Sequence, residues 1–184
     1  MDIITKSQLR GVRNTFEKAK GYSILSEFVN ESKIRKSAPN EMTIFLSHKH
    51  DESEELKDAI ALLKKHGVNV YIDHNDEDMP AHTSGTTADK IKRKIKENRK
   101  FVFLATDKAI ASKWCNWELG FGDAHKYISN IAILALKEDS TNWTGNEYLQ
   151  IYPIISRKYS WSDEYYEVEY PDGKKVDLAM WINS

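Results

Sequence analysis

The alternation of apolar and polar positions changes twice along the chain, and the changes mark its organisation. Up to residue 37, apolar residues recur at helical spacing. Leu9, Val12, Phe16 and Ala19 form one stripe, and Ile24, Leu25, Phe28 and Val29 form a second, with Gly21 between them. Two short helices are predicted, followed by a break at Ser37-Ala38-Pro39-Asn40. From there short apolar runs alternate with helical stripes. Met42–Leu46, Val68–Ile72, Lys100–Ala105 and Ile131–Leu136 read as buried strands, and Tyr152–Ile155 as a fifth. Leu56, Ile60, Leu63 and Lys64 mark a helix that Gly67 is placed to close with a left-handed cap. Ile91 and Ile95 mark another, basic on its outer face, and Asp107–Tyr127 reads as a third helix. Near the end Tyr165–Tyr170 alternates, Pro171-Asp172-Gly173-Lys174 is a turn, and Lys175–Leu178 returns, which predicts a terminal hairpin.

Strands alternating with helices imply an α/β fold, here a central five-stranded parallel sheet covered on both faces. The expected organisation is a core over residues 41–157, an N-terminal helical extension over 1–40 and a C-terminal hairpin extension over 158–184 packed on the core. In such sheets ligands lie beyond the carboxyl ends of the strands, which directs attention to the loops starting at Ser47, Asp73 and Thr106.

Composition narrows the function classes. The formal net charge of -1 leaves no strong field for nucleic acid or an acidic membrane surface. No run of about 18 apolar residues could span a membrane, and the first residues do not read as a signal peptide. The one cysteine, Cys115, precludes an intrachain disulfide, which fits a reducing compartment, and a cytoplasmic location is expected.

The third helix holds the first candidate for chemistry. Ile110, Trp114, Trp117, Phe121, Ala124 and Ile128 recur at spacings of four and three on one face. Glu118 borders that stripe, so it is either a rim residue solvated at its tip or a carboxylate tuned by the loss of hydration. Ser47 and His48 sit where a ligand would lie, or are ordinary residues of a loop. His48, His50, His74 and His82 match no defined zinc spacing, so no metal is expected. A serine hydrolase is disfavoured because no G-x-S-x-G elbow is present, and no G-x-G-x-x-G or Walker loop supports a nucleotide fingerprint. The loop Asp73–Gly85, with Asp73, Asp76, Glu77 and Asp78, lacks EF-hand spacing and reads as a mobile acidic loop, a lid or partner surface. The basic run Lys90–Lys100 reads as a solvated helix face.

Four of these segments together resemble a family. Ile44-Phe45-Leu46-Ser47-His48 resembles the opening strand of TIR domains. Val68-Asn69-Val70-Tyr71-Ile72-Asp73 resembles their second strand, and Phe101-Val102-Phe103-Leu104 their third. The most specific match is Ser112-Lys113-Trp114-Cys115-Asn116-Trp117-Glu118-Leu119, similar to the S-x-W-C-x-x-E-L motif of NAD-consuming TIR domains. The resemblance covers roughly residues 42–156 and implies a flavodoxin-like TIR fold. It implies Glu118 as the catalytic carboxylate that cleaves the nicotinamide–ribose bond, with Ser47, His48, Asp73, Trp114 and Cys115 as substrate-binding candidates. NAD is then the substrate, with no separate cofactor. The loop after the second strand lacks the arginine- and proline-bearing form of receptor TIR domains, so adaptor-type docking is not implied. Without an attached receptor, the chain resembles the TIR component of bacterial Thoeris antiphage systems. That implies a cyclic ADP-ribose signal to a separate effector, an enzyme dormant until triggered, and self-assembly through TIR contacts. The rival readings are a non-catalytic assembly module and a flavodoxin-like nucleotide sensor.

Overall fold

The computed structural model describes residues 2–21, 23–24, 42–73, 84–140, 143, 145–160 and 163–184. Leu25, Phe28, Val29, the predicted break at residues 37–40, and residues 74–83 with His74, Asp76, Glu77, Asp78, Pro80 and His82 lie outside them.

Along the described chain run β1 (Ile4–Thr5), α1 (Lys6–Lys20), β2 (Thr43–Ser47), α2 (Ser53–Lys65), β3 (Asn69–Tyr71) and α3 (Gly85–Glu97). They are followed by β4 (Lys100–Ala105), α4 (Asp107–Ala111), α5 (Lys113–His125), β5 (Ile131–Lys137), β6 (Ile154–Ser160), β7 (Asp163–Glu169), β8 (Lys175–Asp177) and α6 (Leu178–Asn183). Short 3-10 turns occupy Ile128–Asn130 and Glu147–Ile151.

The strands lie in the order β3-β2-β4-β5-β6-β7-β8. The first five are mutually parallel, as the strand–helix alternation requires. The predicted hairpin, β7 and β8, continues the sheet, pairing antiparallel onto β6. The N-terminal segment, expected to be helical, also supplies a strand. β6 pairs with β5 only at Ile133–Ile154. Further along β5, β1 takes its place beside Leu136 and Lys137, and the Arg157 amide donates to the Asp2 carbonyl at 3.4 Å.

Strand alternation divides the interior into two layers. Ile44, Leu46, Val102, Leu104, Leu134 and Leu136 face α1, α2 and α6. Phe45, Phe101, Phe103, Ala105, Ile131 and Ile133 face α3 and α5. The parity places Ser47 on the α5 side, since it lies two residues beyond Phe45. Gly67 closes the turn after α2 at φ 75°, as its position predicts. Gly122 lets α5 lie close on β4, because a Cβ there would stand 3.2 Å from the Phe101 ring.

Candidate active site

The chain expected to form one helix over Asp107–Tyr127 forms two, α4 and α5, and the break corrects the position of Glu118. Ser112 leaves the helical conformation between them and caps α5, its hydroxyl accepting from the Cys115 amide at 3.4 Å. The stripe drawn across the break therefore does not define the buried face. Cys115, Glu118, Leu119 and Gly122 are buried on α5, while Trp114, Trp117 and Phe121 are only partly covered. Lysines of the basic run complete that cover. Lys92 lies 5.9 Å from the Trp117 ring and 5.7 Å from that of Phe121, and Lys96 lies 5.5 Å from Phe121.

Glu118 is thus no rim residue: only 3% of it is exposed. It meets the carboxyl end of β2, where the Ser47 hydroxyl donates to its Oε2 at 2.6 Å. Burial, reinforced by the negative charge of Asp73, pushes the Glu118 carboxyl up to about 8. Hydrogen bonding from Ser47 and Trp114 pulls the other way and is outweighed. At neutral pH burial therefore favours the protonated form of this carboxyl.

The loop after β2 is held from several sides. The buried Cys115 thiol donates to the His48 carbonyl at 3.3 Å. Burial raises its pKa to about 11 and so favours the neutral thiol. His48 is buried, with Nδ1 3.2 Å from the Leu46 carbonyl. Glu52, also buried, accepts from the Thr106 hydroxyl, which in turn caps α4 by accepting from the Ala109 amide. Asp73 follows β3 and is buried, and His50 approaches its Oδ2 at 3.0 Å through Nε2. That bond raises the His50 pKa above its ordinary value.

The candidate residues Ser47, His48, Asp73, Trp114, Cys115 and Glu118 converge at one end of the sheet. Ser47 donates to Glu118, Trp114 and Asp73 act on its ionisation, and Cys115 and His48 hold the loop beside it. His50 joins them without having been chosen as a site residue; its position two residues after His48 was the available signal. Glu52 and Thr106 brace the loop and carry no motif.

A profile of the TIR domain matches residues 44–165, well over half the chain. The chain belongs to the TIR domain family. Among curated proteins this TIR domain is 26% identical over 118 residues to "Probable 3' cyclic ADP-D-ribose synthase ThsB'" of Bacillus cereus (strain MSX-D12), a match covering 62% of the chain and 60% of that protein. It is 24% identical over 117 residues to "Putative cyclic ADP-D-ribose synthase TIR2" of Cytobacillus dafuensis, covering 55% of the chain and 31% of that protein. The matched region thus spans less than two thirds of either relative. Among the described residues of the TIR domain, no helix is long and apolar enough to cross a membrane.

Proposed function

We propose that this TIR domain cleaves the nicotinamide–ribose bond of NAD and closes the remaining ADP-ribose into a cyclic nucleotide that activates a separate antiviral effector. The observation that carries the reading is Glu118: a buried carboxyl, bonded to Ser47, at the carboxyl end of a parallel sheet and inside the S-x-W-C-x-x-E-L motif. The names of the two relatives support the cyclic product.

The chemistry asks little of the protein beyond electrostatics. The nicotinamide ring of NAD is cationic, so the C1′–N bond breaks with its electron pair moving to the ring nitrogen, and a neutral base departs without a proton. Positive charge passes to the ribose, which becomes oxocarbenium-like, as in glycoside hydrolysis. Glu118, which gives up its proton to solvent as the cationic ring approaches, stabilises that charge from a fixed position. Trp114 offers an apolar wall. Water attacking C1′ gives ADP-ribose, whereas a nucleophile of the adenosine half gives the cyclic isomer, and exclusion of water favours the second. No cofactor is required, because the substrate carries its own leaving-group activation.

The test is Glu118→Gln, which keeps shape and removes the charge. Purified wild type, assayed with and without extract of infected cells, is expected to release nicotinamide and a cyclic product identified by mass. The variant, folded by circular dichroism, is expected to lose about two to three orders of magnitude of turnover, the scale of an oriented electrostatic group. Undiminished nicotinamide release by the variant would refute the assignment. Tight binding of intact NAD by the wild type without consumption would instead support a sensor.

A further inference from the structure

The tertiary structure gathers a second set of chemically capable side chains beside Glu118. His48 and His50 leave β2 on one loop, and Asp73 enters from the end of β3, two strands that are hydrogen-bonded neighbours. One ligating atom from each lies within 4.8 Å of the others. The two imidazole rings stand 5.5 Å apart, and His50 Nε2 is 3.0 Å from Asp73 Oδ2. We propose that His48, His50 and Asp73 form a three-ligand site for a divalent transition ion of the zinc class.

The donor set decides the class of ion. Two imidazoles and one carboxylate suit zinc, cobalt or nickel, whereas magnesium and calcium take oxygen ligands. Three protein ligands leave a fourth tetrahedral position open to solvent or a small anion, the arrangement of an exchangeable rather than a closed structural site. The surroundings already supply what a ligating histidine needs. A proton on His48 Nδ1, donated to the Leu46 carbonyl, keeps the ring's lone pair on Nε2 and fixes its plane. The same loop is tied down by the Cys115 bond to the His48 carbonyl and by the Glu52–Thr106 bond.

Access follows from exposure: the His48 and Asp73 side chains are buried, while the His50 side chain is 54% exposed, so an ion reaches the cluster from the His50 side. No step of the chemistry proposed above passes through this ion. Its binding depends only on these three side chains, so it is tested without NAD, and either reading can fail without the other.

The experiment titrates untagged, full-length protein with zinc by calorimetry and with cobalt by visible absorption. One zinc per chain is expected, with cobalt giving the intense d–d bands of a four-coordinate site that zinc then abolishes. His50→Gln, a change at a half-exposed loop position, is expected to weaken zinc binding at least tenfold, as is Asp73→Asn. His125→Gln, a histidine on the exposed end of α5, is the control and leaves binding unchanged. Absence of saturable binding in the wild type overturns the proposal. So does zinc binding that survives both His50→Gln and Asp73→Asn, or that is lost on His74→Gln or His82→Gln but not on His50→Gln.

Discussion

At the scale of single residues, the protonation of Glu118 bears on stability and, in the proposed chemistry, on rate. Its folded pKa of about 8 stands above the ordinary 4.5, so the folded state holds a proton that the unfolded chain releases. Stability from this group is full below about 4.5 and is lost as pH rises through 8. Glu118→Gln, which cannot ionise, escapes that loss. The variant is expected to melt at or above the wild-type temperature at pH 8, with a gap that shrinks toward pH 5. Thermal melts of both proteins across that range check the sign. Turnover runs the opposite way, because the proposed chemistry uses the carboxylate. The kcat/KM of the wild type for NAD is expected to rise with pH up to about 8 and level off, while kcat levels off at lower pH, since bound cationic substrate favours ionisation. A pH–rate profile that is flat or falls from pH 6 to 8 would contradict this role. Ser47→Ala removes the hydroxyl that favours the charged form; its expected signature is a kcat/KM profile displaced to higher pH, on top of a lower rate.

At the scale of elements, the site depends on two helix starts. Thr106 caps α4 and at the same time satisfies the buried Glu52. Thr106→Val keeps the volume and loses both bonds. The cost expected from a lost cap and an unsatisfied buried acceptor is about 2–3 kcal/mol, read by urea denaturation. The second start, at Ser112, is where the sequence pattern misled. Apolar residues at spacings of four and three run straight through from Ile110 to Ile128, and periodicity alone sees no break. Ser112 ends one helix and caps the next, rotating α5 so that Glu118, not the tryptophan stripe, faces β2. On the other side of the sheet, α1 packs on α2 through Leu9, Val12 and Phe16, and an ion pair accompanies that contact: Arg13 lies 3.0 Å and Arg10 4.0 Å from the buried Asp58. Arg13→Ala leaves that carboxylate poorly paired, with an expected loss of about 1–3 kcal/mol by the same measurement.

At the scale of the whole molecule, described segments outside the matched TIR core supply strands to its sheet and a helix to its interior. β1 lies beside β5, and β7 and β8 extend the sheet beyond β6. The α6 residue Trp181 is 1% exposed and donates its indole N–H to the Ser129 carbonyl at 2.8 Å. Beneath it Lys100 is buried, its ammonium 4.9 Å from the Trp181 ring and bonded to Asn130 and Ser184 at 2.8 and 2.9 Å. Trp181→Ala is therefore expected to destabilise the whole domain by about 3–5 kcal/mol in one cooperative transition, as for a large core side chain. A separate low-temperature transition, leaving the rest intact, would show α6 to be an appendage.

The sequence by itself determined the five parallel strands of the central sheet and the end of it where a ligand would lie, because a doubly covered strand must be a continuous apolar run and its loops must be polar; it did not determine β1. The motif around Glu118 made that residue stand out. Only the tertiary structure decided its environment, since burial and pKa depend on which face α5 turns inward and on Ser47 and Asp73 arriving from other strands. The same holds for His48, His50 and Asp73, whose proximity comes from the pairing of β2 with β3. Local spacing can give a residue its face on one element, but contacts between elements are set by how the whole sheet is assembled.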